Sequence, residues 1–242
     1  MMTVLKPFFK PAIGITSMLL AMLACPPVLA SDSGTVVEFS ETEPGMVPYR
    51  TRLIVTPAYL RYDDGKDDGD FLLFDRKKRV IFNTNSIDKS ILVIREKKVA
   101  LPAKKDWRHA IDSDDEQVPA IGGKPVKHLV LLTNNKVCYD LYAAKDFLPE
   151  VTAALAEYRR VLSIQHADIL IDMPGIERGV CDLANNIYLP DRHLQHGFPV
   201  RIRDADGRGK QLTGYKDNIA LKPMLFKLPE NYKEFSVSDV RK

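Results

Sequence analysis

Signatures of chemistry are missing from this chain. It contains no G-x-S-x-G elbow, no glycine-rich phosphate loop and no H-E-x-x-H pair. Sequence support for an α/β-hydrolase, a nucleotide-binding enzyme or a zincin is therefore absent. Cysteine is scarce, with three residues and no C-x-x-C spacing, so neither a structural zinc site nor a dithiol redox centre is indicated. A surplus of one charge is lacking too, because 35 Lys and Arg stand against 32 Asp and Glu, intermixed along the chain. Nucleic acid calls for a concentrated basic face and is not an expected partner. There are no internal repeats and no low-complexity tracts.

Long apolar runs are limited to one, near the start. Lys6 and Lys10 precede an uncharged stretch from Ala12 to Ala24, which Pro26-Pro27 breaks and Val28-Leu29-Ala30 closes. A basic start, a short apolar centre and small residues before a cleavage point make a secretory signal peptide. Residues 1–30 read as that signal and 31–242 as one mature domain, placed in the periplasm. An uncleaved anchor needs roughly 20 apolar residues, and the double proline spoils the last third of the run. Met22-Leu23-Ala24-Cys25 is the alternative: it resembles a lipobox, and lipidation at Cys25 would make a membrane-anchored lipoprotein in contact with the membrane.

The signal accounts for two basic residues and no acidic one, leaving 33 against 32, a net charge of +1. It also removes Cys25, so the mature chain keeps Cys138 and Cys181. In an oxidising compartment two cysteines most simply pair; two buried free thiols are the other reading.

Thr35 to Tyr142 reads mostly as short strands. Val36–Phe39, Tyr49–Thr56, Ala58–Tyr62, Phe71–Phe74, Arg79–Thr84 and Ile91–Ile94 are bounded by Asp, Gly, Asn or Lys clusters, as hairpin strands are. Their even spacing points to an antiparallel meander, since parallel strands need long crossovers. Pro102 to Lys124 reads as a surface loop pinned by Trp107. Val126–Thr133 and Lys136–Tyr142 form a hairpin about Asn134-Asn135. One helix follows, with Asp146 as N-cap, Pro149 in the first turn, and Leu148, Val151, Leu155, Tyr158 and Leu162 at helical spacing. Phe198–Arg203 and Gln211–Tyr215 flank the turn Asp204–Gly207. Strands, one helix, then strands predict a single α+β domain.

That order of elements, with a closing motif carried by Phe226, Leu228, Pro229 and Tyr232, resembles bacterial envelope proteins of the LolA-like superfamily. The resemblance implies a curved antiparallel sheet, an incomplete barrel, packed on one main α-helix. It also implies a concave face that holds a hydrophobic or lipidated ligand, or an envelope protein partner. Leu53, Val55, Phe71 and Phe74 are the candidate lining residues.

Clusters that could carry other chemistry read as structural. Asp63–Asp70 resembles a calcium loop, but Lys66 occupies a ligand position, so a solvated hairpin turn is expected. His193 and His196 have helical spacing without a third metal ligand, and read as a surface turn ended by Gly197. His109, His128 and His166 are isolated from one another. No catalytic residue, metal or cofactor is assigned. Two alternatives stay open: a periplasmic hydrolase built from dispersed Asp, Glu or His residues, and an envelope assembly factor.

Overall fold

Period-two alternation of apolar residues dictates strands buried on at least one face, and strands dominate the computed structural model. It describes residues 33–101, 107–114, 116–172 and 177–240; the expected signal, with Cys25 and Ala30, lies outside them. The strands are β1 (Ser33–Thr42), β2 (Tyr49–Val55), β3 (Tyr59–Asp63), β4 (Phe71–Asp75), β5 (Val80–Asn85) and β6 (Ser90–Arg95). After them come β7 (His109–Ser113), β8 (Val126–Thr133), β9 (Lys136–Ala144), β10 (Phe198–Asp204), β11 (Gly209–Ala220) and β12 (Lys233–Ser236). They form one open sheet in the order β12-β6-β5-β4-β3-β2-β1-β11-β10-β9-β8-β7. Neighbours are antiparallel throughout, except that β12 lies parallel to β6.

Two meanders are thus joined where β1 pairs with β11. The Asn134-Asn135 hairpin forms as read, both residues holding positive φ (50° and 62°), the backbone a two-residue type I′ turn demands. The α+β class with one main helix is likewise what the chain adopts.

Helix α1 (Pro149–Asp172) lies on one face of the sheet. Proline suits the first helical position, where its missing N–H is not needed. Asp146, expected as the N-cap, instead lies upstream with φ 59°, and Leu148 follows at φ 44°; the chain turns sharply there before the helix starts. Val151, Ala154 and Val161 of α1 are buried against Val37, Phe39, Leu53, Val55, Leu60, Phe74 and Ile81 of the sheet. Leu155, Tyr158 and Leu162 pack against the same cluster while remaining half-buried. The opposite face carries a smaller cluster of Ile54, Phe71, Leu73, Leu221, Leu225 and Phe226.

Several segments differ from their sequence reading. The stretch Pro102 to Lys124 contains β7, whose five residues are all exposed, so no apolar alternation announces it. Strand β11 runs from Gly209 to Ala220, two residues earlier and five later than Gln211–Tyr215. The segment after α1 is helical: α2 (Val180–Leu183) runs into a π turn, Ala184–Tyr188, and a 3₁₀ turn follows at Arg192–His196. Gly197 then reverses the chain at φ 118°, where a Cβ would stand 2.4 Å from the Ala144 carbonyl oxygen; only glycine is comfortable there. Trp107 packs edge-on against Tyr188, ring centres 5.0 Å apart.

Cys138 of β9 and Cys181 of α2 form a disulfide. It ties the helical segment to the sheet and removes the free-thiol alternative. No helix among the described residues is long and apolar enough to cross a membrane.

Candidate functional site

Between α1, the π turn and the sheet lies a cavity of about 450 Å³. Phe39, Leu60, Leu72, Leu155, Leu194 and Ile202 supply apolar wall, and Arg159, Asn185, His193 and Lys210 supply polar wall. A second cavity of about 390 Å³, lined by Asp140, Arg201 and Arg203, shares Ile202, Gly209 and Lys210 with the first. Lys210 therefore stands at the partition between an apolar space and a polar one.

Strand periodicity places the polar groups. Glu41 continues the core-facing side of β1 begun by Val37 and Phe39, and Thr51 does the same for Leu53 and Val55 of β2. Register then brings Glu41 directly opposite Lys210. The Thr51 hydroxyl donates to Glu41 Oε1 at 2.6 Å, and Lys210 Nζ lies 3.0 Å from the same oxygen. The Tyr62 hydroxyl donates to Glu41 and accepts from Lys210. The ammonium also lies over the rings of Tyr62 and Phe39, 4.3 and 5.2 Å from their centres, which offsets part of its desolvation.

Competing forces set the ionisation of this group. Burial pushes the Glu41 carboxyl up, but the Lys210 charge and the bonds from Thr51, Tyr62 and Lys210 outweigh it, and the net shift is downward. Burial pulls Lys210 below its ordinary value; Glu41 opposes this without cancelling it, and the Arg159 charge adds to it.

His193 forms the far wall. Its ring lies 5.0 Å from that of Tyr139, and its Nδ1 is buried with no hydrogen-bond partner. Burial holds His193 well below the usual imidazole range, helped by the charges of Arg159, Arg192, Lys210 and His196. The unfolded chain takes up a proton near pH 6.5 while folded His193 does not, so its contribution to stability is lost as pH falls through that value. Burial depresses His166 and His196 in the same sense. His128 acts oppositely: burial is outweighed by Asp114 and Asp140, which raise it, so its contribution is present at low pH and lost as pH rises. His193→Asn is expected to flatten the stability loss between about pH 6.5 and 5, by an amount approaching 1.4 kcal/mol per pH unit. Urea midpoints across that range check it, and parallel pH profiles for variant and wild type would refute it.

The expected lining residues are not at this cavity. Leu53, Val55 and Phe74 lie packed in the core beneath α1, and Phe71 faces the other way with Leu225 and Phe226. Residues an odd number apart on a strand point to opposite faces, which separates Phe71 from Phe74; Leu72, between them, reaches the cavity.

Two clusters also differ from expectation. His193 is buried rather than part of a surface turn. His128, read as isolated from the other histidines, lies among carboxylates: Nδ1 is 2.7 Å from Asp114 and 3.6 Å from Glu116, and Nε2 is 3.3 Å from Asp140. One donor atom each from Asp114, Glu116 and His128 lie within 4.8 Å of one another.

No protein-family model and no curated protein matches the chain. Partial structural likeness is found to an uncharacterized conserved protein from Thermus thermophilus, covering 86% of this chain and 91% of that one, at 10% identity and a TM-score of 0.40. PNGF-II is similar in two crystal forms, at 12% identity and TM-scores of 0.44 and 0.39, covering 86% of this chain. The chain spans about a third of PNGF-II, 32% of its length. These likenesses carry nothing about activity.

Proposed function

We propose that this chain is an exported envelope protein of the half-barrel, lipoprotein-carrier type that holds a hydrophobic or lipidated ligand between α1 and the sheet. The cavity of about 450 Å³ with its apolar wall carries the reading, since ligand sites of roughly 300–1,000 Å³ are mostly apolar with a few placed polar groups. Covering that wall with a hydrocarbon chain gains about 25 cal/mol for each Å² removed from water. A disulfide fits the oxidising compartment to which a cleaved signal would deliver the protein.

The protein, produced with its signal and purified from periplasm without detergent, is expected to release an amphiphile on denaturing extraction, identified by mass spectrometry. Leu155→Trp fills the wall and is expected to abolish this while the fold survives. A ligand-free protein that also fails to take up a fluorescent fatty acid would overturn the reading.

A hydrolase is the second reading, favoured by one observation: Glu41, Tyr62 and Lys210 are hydrogen-bonded together at the cavity with shifted ionisation, an arrangement common at catalytic sites. Turnover of nitrophenyl acyl esters, lost in Lys210→Met, would favour it over carriage.

A further inference from the structure

We propose that the cavity's occupant carries an anionic head, a carboxylate or a phosphate, received between Arg159 of α1 and Lys210 of β11. This rests on the reading of the cavity as a ligand site and adds the chemistry of the head group. It follows from an imbalance among the wall's polar groups, in which the acids are committed and a cation is not.

Four carboxylates line the cavity, and each already has a basic partner. Glu41 has Lys210. Asp182 is held by Arg178 at 2.8 Å and accepts from Asn186 Nδ2 at 2.6 Å. Asp204 and Asp206 both bind Arg208, at 2.8 and 2.7 Å. Arg159 is different. Its Nε donates to the Pro190 carbonyl at 3.1 Å, and its Nη2 donates to the Asn185 carbonyl and Asn186 Oδ1 at 2.9 and 3.0 Å. All its hydrogen-bond partners among the described residues are neutral oxygens. A guanidinium in a partly enclosed wall without an anion is an expensive arrangement, and its fork geometry suits carboxylate or phosphate.

A second observation points the same way. His193, more than nine-tenths buried, has Nδ1 without a partner and lines the same space. That atom is itself closed off from the cavity, so His193 senses the charge at the wall and is not a contact for the head group. Arg159 and Lys210 each depress the ionisation of His193, and Arg159 depresses that of Lys210. Lys210 is balanced by Glu41, so the charge on that side without an anionic partner among the described residues is that of Arg159. An anion relieves this repulsion; a cationic head would add to it, and a neutral one would leave it unchanged.

Calorimetric titration of the lipid-stripped chain, disulfide intact, tests this with four ten-carbon probes: decanoate, decyl phosphate, decanol and decyltrimethylammonium. An anionic probe is expected to bind at least about tenfold tighter than decanol, the worth of one charge-assisted hydrogen bond, with the cation weakest. The ratio of decanoate to decyl phosphate tells which anion the site prefers. Arg159→Gln is expected to erase the preference and Arg159→Lys, which keeps the charge, to retain part of it; decanol binding by the two variants reports whether the wall has stayed in place, and an anion preference that survives in a decanol-binding Arg159→Gln would overturn the role of Arg159. Equal binding of decanol and both anions would overturn the anionic head and leave the apolar cavity standing. Binding of none of the four would overturn both readings.

Discussion

Replacing both Cys138 and Cys181 by alanine is expected to destabilise the fold by about 4 kcal/mol, the chain-entropy value for a loop of this length. The cysteines are separated by 43 residues, and that loop contains all of α1. Freeing it lets the unfolded chain explore conformations that the crosslink forbids. The folded state also loses a covalent tether, leaving α2 and the π turn held by the burial of Ala184 and Ile187 and by a few hydrogen bonds. Among these are Asn185 Nδ2 to the Cys138 carbonyl, and Arg159 to the Asn185 and Pro190 carbonyls. Since Cys181, Asp182, Asn185 and Asn186 all line the cavity, the helical segment is its wall, and ligand uptake is expected to fall before the sheet unfolds. Urea unfolding with and without reductant, followed by far-UV dichroism, measures the first effect; a fluorescent fatty acid reports the second. A loss under about 1 kcal/mol would mean that the unfolded chain is already held compact there.

Legibility in the sequence follows the physics of each element. Strands such as Tyr49–Val55 and the α1 stripe of Val151, Leu155, Tyr158 and Leu162 are readable because burial on one face imprints a period. Strand β7 is not, because all five of its residues are exposed and its partner β8 supplies the order through backbone bonds. The segment from Val180 to His196 is silent for a related reason. Most of its buried residues, Cys181, Ala184, Asn185, Arg192 and His193, are small or polar, and a disulfide and side-chain-to-carbonyl bonds complete its anchoring, so no apolar stripe marks it.

The site is hidden by distance, since Lys210 and Tyr62 meet across 148 residues. One signal is there to use. Glu41 extends the face of Val37 and Phe39, Lys210 that of Leu212, and Tyr62 that of Leu60; a charged or hydroxyl group continuing an apolar face is costly to bury and marks a place where the core is interrupted. Leu53, Val55 and Phe74 are attractive as lining residues because they are the most apolar, and for the same reason they pack fully and leave no space.

Asp63→Ala is expected to cost about 3–5 kcal/mol, the loss typical when one member of a buried ion pair is removed. The acidic run from Asp63 to Asp70 does form the turn between β3 and β4, but its first residue is not solvated. Asp63 has a fully buried side chain, and so, at 1% exposure, does Arg61. Arg61 Nε donates to Asp63 Oδ2 at 2.6 Å, and Arg52 grips the same carboxylate through Nε and Nη2 at 2.8 and 2.9 Å. The rest of the Arg61 guanidinium donates to the Leu225 carbonyl at 2.6 Å and the Asp67 carbonyl at 3.1 Å, and it lies 4.0 Å over the Phe71 ring. This network pins the Pro223–Phe226 turn to β3 on the face away from α1, where Leu225 and Phe226 close the smaller core. Alanine at position 63 leaves a buried guanidinium with only carbonyls to meet it. The double variant Arg61→Met/Asp63→Leu removes both charges and is expected to regain much of the loss. Chemical denaturation of the two variants measures this difference. If the double variant is no more stable than Asp63→Ala, the carboxylate's role is to order the turn through its bond from the Gly65 amide, not to neutralise Arg61. Fatty-acid uptake by folded Asp63→Ala should match wild type, because the network lies across the sheet from the cavity.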